Sequence, residues 1–126
     1  LDAKTEEIKP VHATTLADSI SVDLPRDGLR AVRAATQTNG AFIKVSDQEI
    51  LAAIGKLGKA GIFSEPAGAT AYAGVLKASA EGLVDENDPV VCMITGSGLK
   101  DVKAAMQAVP QAPIIEPNMA ALKKII

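Results

Sequence analysis

The apolar run Val90-Val91-Cys92-Met93-Ile94 stops abruptly at Thr95-Gly96-Ser97-Gly98-Leu99-Lys100-Asp101. A short continuous run opened by Pro89 and closed by a glycine-rich turn predicts a buried strand. Strands buried on both faces belong to sheets covered by helices, so this segment points to an α/β architecture. In open α/β sheets, ligands bind where such strands end. The glycines let the backbone come close to a bound group, and the helix start behind them offers free N–H donors.

Composition narrows the core. Aromatic residues make up only 2% of the chain, and alanine, glycine and short aliphatics dominate. Such a core needs close backbone approach, which suits helices lying on a sheet better than a sandwich. At 126 residues the length is that of one domain, able to bury roughly two-thirds of its unfolded surface. A net charge of −2, one Tyr and two Phe leave neither a basic footprint nor a stacking platform, which argues against nucleic acid as a partner. Cys92 is the sole cysteine and reads as a small buried hydrophobe, so no disulfide framework is possible. That fits a reducing, cytoplasmic compartment. His12 is the only histidine and has no Cys or acidic cluster around it, so no metal site is expected. No apolar run approaches the roughly 18 residues of a membrane span. The chain opens at Leu1 with the charged stretch 2–9 and reads as a piece of something longer.

Along the chain, residues 1–10 form an irregular lead-in, and 11–25 a loop with apolar beads at Leu16, Ile20, Val22 and Leu24 that allows a helical turn. Pro25-Arg26-Asp27-Gly28 marks a turn. A short helix then runs from Leu29 to about Thr38, ended by Asn39-Gly40. Ala41-Phe42-Ile43-Lys44-Val45 reads as a strand. Ser46-Asp47-Gln48-Glu49 is a capping box opening a helix with Ile50, Leu51, Ile54 and Leu57 on one stripe, ended by Gly58 and Gly61.

Pro66 suits the first position of the next helix, where Ala69, Ala73, Leu76 and Ala80 line one face. Gly68 and Gly74 within it imply close packing, since each costs about 1 kcal/mol against alanine. After Asp101 a helix to about Ala108 carries Val102, Met106 and Val109 on one side. The tail 110–126 is broken by Pro110, Pro113 and Pro117. It leaves Ile114-Ile115 for a short strand contact and Asn118 to cap a small terminal helix. Strand–helix alternation predicts a parallel sheet. Two strands are too few for a freestanding one, so a partial three-layer sheet flanked by helices, in one segment 1–126, is expected.

Three segments carry chemistry: Thr14-Thr15-Leu16-Ala17-Asp18-Ser19-Ile20, Glu65-Pro66-Ala67-Gly68-Ala69, and Thr95-Gly96-Ser97-Gly98-Leu99-Lys100-Asp101. From the residues alone, the Thr95 hydroxyl could cap the following helix through an N–H of Ser97 or Gly98. Glu65 could be an anion at a helix N-terminus. Lys100 and Asp101 read as a solvated pair in a first helical turn.

In order and spacing the three segments resemble the C-terminal part of the large domain of the fold-type II pyridoxal-phosphate enzymes, the tryptophan-synthase β type. The likeness covers about residues 11–103, and the last segment is most similar to the threonine-synthase branch. That resemblance implies a lyase of amino-acid biosynthesis converting O-phosphohomoserine and water to threonine and phosphate on pyridoxal 5'-phosphate. It implies cofactor contacts at Thr95, Gly96, Glu65 and Ala17. Thr95 would bond the pyridine nitrogen, Glu65 would lie near the ring, and the backbone at 17–19 would pass over the cofactor's edge. A hydroxyl facing the ring nitrogen leaves the cofactor a weaker electron sink than a carboxylate would.

The departure from the family is that no lysine here stands in a Ser-x-Lys-Asp/Asn context; Lys44 sits mid-strand with other neighbours. The phosphate-cradling glycine loop is likewise absent. No catalytic residue is therefore assigned, and the segment alone is expected to be inactive. The expected partners are the N-terminal part of the same enzyme, a small-molecule substrate and further copies of the enzyme. Two alternatives stay open: a serine/threonine dehydratase-type lyase, and a non-enzymatic α/β module binding a phosphorylated ligand at the Gly96–Gly98 turn. The module would need a complete sheet of its own.

Overall fold

Local capping chemistry sets where the helices begin and end. The computed structural model describes residues 7–126 and contains helices α1 (Gly28–Gln37), α2 (Asp47–Lys59), α3 (Pro66–Ala80), α4 (Val102–Gln107) and α5 (Met119–Leu122). At the start of α2, Ser46 Oγ accepts the Glu49 N–H at 3.2 Å while Glu49 Oε2 accepts the Ser46 N–H at 2.6 Å. This is the reciprocal box expected from the sequence. Asp101 Oδ1 caps α4 through the Ala104 N–H, and Asn118 Oδ1 caps α5 through the Ala121 N–H.

The first three helices end alike. Asn39, Gly61 and Gly82 take positive φ just past the cap. The following N–H then reaches back to the last turn, as in Ile62 N to Leu57 O at 2.9 Å and Leu83 N to Ala78 O at 2.8 Å. Gly58, expected to help stop α2, lies inside it.

Helices α2 and α3 form the main packing pair. Ile50, Ala53, Ile54 and Leu57 of α2 meet Ala69 and Ala73 of α3, with Ala17 buried beside them. Alanine on the α3 face lets the two backbones approach, and each large aliphatic so buried contributes roughly 1.5–3 kcal/mol. Ala80, expected on that face, is exposed, while Ala78 is buried. Gly68 is tightly enclosed: a Cβ there would sit 2.7 Å from Ser64 Oγ and 3.1 Å from Gly96 N. Gly74 meets nothing within 4 Å, so close packing explains the first glycine and not the second.

The expected partial parallel sheet does not form among the described residues. Segments 41–45 and 90–94 are extended but unpaired, and residues 114–115 make no strand contact either. The β pairing present is an isolated antiparallel bridge between Ser64 and Ser97. The physical reason is the shortage of neighbours: an extended segment satisfies its N–H and C=O groups only against another one.

Strand character survives in the side chains. Ile43, Val45, Cys92 and Ile94 are half-buried, while Phe42, Lys44, Val91 and Met93 alternate with them and face outward. Val45 and Ile94 pack on the core, whereas Val91 and Met93 are 90% and 70% exposed. The run 90–94 is thus covered on one side only.

Helix α4 also departs from expectation. Its larger apolar residues Val102, Met106 and the nearby Val109 are exposed, and the smaller Ala104 and Ala108 meet the rest of the fold. Helix α5 buries none of its residues. Of the lead-in, residues 1–6 lie outside the described part, and 7–10 are irregular as expected. The loop 11–25 contains the anticipated turn, a short 3-10 helix at Asp18–Ile20. No helix among the described residues is long and apolar enough to cross a membrane.

Candidate functional site

The three chemistry-bearing segments meet at one side chain, Glu65. Pro66 occupies the first turn of α3, which places Glu65 at its N-cap in extended backbone. The carboxylate does not cap its own helix. It turns instead to the neighbouring segments, accepting from Ser19 Oγ at 3.0 Å and from Lys100 Nζ at 3.3 Å. Its backbone N–H donates to Gly96 O at 3.0 Å. One residue thus joins loop 14–20, the start of α3 and turn 95–101.

Two further bonds fix the surroundings. Gly98 N donates to Phe63 O at 3.0 Å, so the extended residues before α3 run antiparallel to the turn. On the other side Asp47, in the first turn of α2, holds the loop. Its carboxylate accepts from Thr15 Oγ1 and, at 3.2 Å, from the Leu16 N–H. Ala17 N then donates to Thr15 Oγ1 at 3.2 Å.

Each expected site residue can now be placed. Thr95 is exposed at the end of segment 90–94, and its hydroxyl makes no hydrogen bond within the described residues. The helix-capping reading of Thr95 therefore fails. Ser97 does that work, its Oγ accepting the Leu99 N–H at 3.3 Å. Gly96 lies flush against Glu65, where a Cβ would overlap the carboxylate and Cγ. Glu65 is buried. Ala17, expected at the cofactor's edge, is fully buried among Ile50, Ala53 and Ala69, backbone included, so of that loop the exposed Asp18 and Ser19 are the residues that can border a ligand.

Lys100 is solvent-exposed as expected, but it and Asp101 serve different partners rather than each other. Lys100 serves Glu65 and Asp101 caps α4. Ser19 and Lys100 went unrecognised as partners because they stand 46 and 35 positions from Glu65, beyond any local spacing rule. The signal available was the carboxylate itself: once buried, it needs a counter-charge and a donor.

Away from the site, Glu49 links α2 to α3 by an ion pair with Lys77 at 3.5 Å. The Ser46 backbone N–H, then its hydroxyl, and the Lys77 ammonium hold the Glu49 carboxyl below the usual range. Lys77 Nζ also donates to the carbonyl of Lys44 at 2.7 Å, tying the end of segment 41–45 to α3. Burial pushes the Cys92 thiol up, in keeping with a small hydrophobe rather than a reactive group.

Chemically, the site offers a free alcohol at the end of an apolar segment, next to a glycine packed on a carboxylate held by two donors. An uncommitted hydroxyl can donate to an acceptor such as a heterocyclic nitrogen.

Comparison with known proteins agrees with this chemistry. A family model described as "Pyridoxal-phosphate dependent enzyme" matches residues 2–96. The threonine synthase of Halalkalibacterium halodurans is 41% identical over 105 residues, covering 82% of this chain and 30% of that protein. That of Mycobacterium tuberculosis strain H37Rv is 39% identical over 116 residues, 90% of this chain and 32% of the relative. That of Methanocaldococcus jannaschii is 39% identical over 113 residues, with 89% and 28% covered. The chain thus spans about a third or less of the length of the curated relatives it matches.

Proposed function

The chain belongs to the pyridoxal-phosphate dependent enzyme family, and on that premise we propose that it is the C-terminal part of the cofactor-binding large domain of a threonine synthase. The full-length enzyme would convert O-phosphohomoserine and water to threonine and phosphate in the cytoplasm. Its partners would be the rest of the same polypeptide, this small-molecule substrate and further copies of itself. The observation that carries the reading is the convergence of loop 14–20 and turn 95–101 on Glu65, next to an exposed Thr95 whose hydroxyl has no partner among the described residues.

When bound, pyridoxal phosphate supplies an electron sink for the substrate's carbon framework. This chain's residues would hold and shape the ring side. Thr95 Oγ1 would donate to the ring nitrogen while leaving it uncharged. Gly96, which leaves room for the Glu65 side chain, would carry Thr95 to the ring. Glu65, kept in place by Ser19 and Lys100, sets the position of the turn, and the exposed residues 18–19 would border the edge. No lysine of the chain has the context expected for covalent attachment of the cofactor. The chain by itself would therefore neither hold pyridoxal phosphate tightly nor turn over substrate.

The exposed Val91 and Met93, at 90% and 70%, and the bare apolar side of α4 are the surfaces this reading gives to the remaining polypeptide. A dehydratase-type lyase is the second reading, disfavoured by the Gly96-Ser97-Gly98-Leu99-Lys100-Asp101 stretch and by relatives named threonine synthase. A self-contained module is disfavoured by family membership and by the unpaired state of segments 41–45 and 90–94. The deciding experiment offers the full-length enzyme O-phosphohomoserine and, separately, threonine. Release of inorganic phosphate from the first supports the reading. Turnover of threonine to a keto acid with no phosphate release would replace it with the dehydratase.

A further inference from the structure

Glu65 and Ser64 are the buried polar or charged residues among those described, so Glu65 is the buried ionisable group. A carboxylate out of water is costly unless it is paired and hydrogen-bonded, so the partners of Glu65 fix where its side chain rests. The pair is lopsided: the Glu65 side chain is 8% exposed and that of Lys100 is 63% exposed. The cation therefore reaches in from the solvent side, and nothing in the core is built around it.

We infer that Lys100 is a positioning residue, whose ion pair with Glu65 fixes the turn that presents the Thr95 hydroxyl to the cofactor. Turn 96–100 grips Glu65 at both ends: Gly96 O accepts its backbone N–H at 3.0 Å, and Lys100 Nζ donates to its carboxylate at 3.3 Å. The intervening Ser97 and Gly98 are tied to the neighbouring extended residues by the Ser64 bridge and by the Gly98–Phe63 bond. Thr95 contributes no side-chain bond of its own, so its placement is inherited from residues 96–100. Lys100 is the side chain of that turn that reaches the start of α3. Without its charge, Glu65 keeps only the Ser19 hydroxyl and is free to swing toward water, and Gly96, flush against the carboxylate, moves with it.

This inference rests on the chain belonging to a pyridoxal-phosphate enzyme, and the test separates the two. In the full-length protein, pyridoxal phosphate affinity is measured by visible absorbance titration for wild type, K100M, K100R, E65Q and K100M/E65Q. Thermal midpoints of the cofactor-free proteins are recorded beside them. K100M is expected to weaken binding about two- to threefold, the scale of an ion pair whose cation is mostly exposed. K100R should restore wild-type affinity, since it keeps the charge. The double variant should bind no worse than K100M, because Lys100 has no task once the charge on Glu65 is gone. The cofactor-free midpoint should barely move, as the lysine is exposed. Wild-type affinity in K100M, absence of rescue by K100R, additive losses in the double variant, or a lowered midpoint with unchanged affinity would each overturn the positioning role while leaving the enzyme assignment intact. Absence of cofactor binding by the wild type would overturn both.

Discussion

Substituting Gly96 by alanine is the sharpest probe of the site. A methyl there cannot coexist with the Glu65 side chain as placed, because it overlaps the carboxylate and Cγ. The backbone of Gly96 is itself bonded to Glu65 N, so the side chain is what must yield. Rotating it away breaks the Ser19 and Lys100 bonds together. The Ser19 bond, part-buried and to a charged acceptor, is worth about 1.5 kcal/mol. The Lys100 pair, more than half exposed on the lysine side, adds only about 0.5 kcal/mol. The variant should therefore lose about 2 kcal/mol, or about 1 M in urea midpoint at an m-value of about 2 kcal/mol/M. Gly74→Ala is the matched control. It sits inside α3 with nothing within 4 Å of the added methyl, and alanine should stabilise the helix by about 0.5–1 kcal/mol. Urea unfolding followed by far-ultraviolet circular dichroism reads both. A G96A midpoint at or above wild type would refute the idea that Gly96 is glycine because of Glu65.

Two further outcomes are expected elsewhere in the fold. The carboxyl of Glu49 titrates below its ordinary 4.5, chiefly through the Ser46 backbone N–H; such a group stabilises fully above that ordinary value and loses its contribution as pH falls through the lowered one. Urea midpoints of Glu49→Gln should thus fall less steeply than wild type from neutral pH into the acid range, and parallel curves would show the capping box to be energetically idle. Burial raises the Cys92 thiol, so alkylation of the folded protein at neutral pH should run several-fold slower than for free cysteine, with urea removing the difference. Equal rates in the folded protein would contradict that burial.

Most of the local structure was legible because its causes are local. The Ser46–Glu49 box, Pro66 at the head of α3, and the turns at Asn39 and Gly61 each depend on a few adjacent residues. The sheet was not legible in the same way. Segment 90–94 has strand-like alternation, but pairing needs a second strand at the right distance, which no run of five residues specifies. Helix α4 shows the same limit: its pattern names Val102 and Met106 as core, yet the neighbours it meets accept only Ala104 and Ala108. At the site, the motifs identified Thr95, Gly96 and Glu65 by type. That Ser97 rather than Thr95 caps the turn, and that Ser19 and Lys100 share one carboxylate, depends on the folded geometry and on contacts between residues far apart in the chain.

The hydroxyl at position 95 is the point on which structure and proposed chemistry meet. The most direct measurement is the affinity of the full-length enzyme for pyridoxal phosphate with Thr95, Thr95→Ser and Thr95→Val. Serine keeps the donor and should bind within about threefold of wild type. Valine removes one hydrogen bond, worth about 0.5–1.5 kcal/mol, and should bind roughly 2- to 12-fold more weakly. Equal affinity for the threonine and valine forms would show that this alcohol does not face the cofactor.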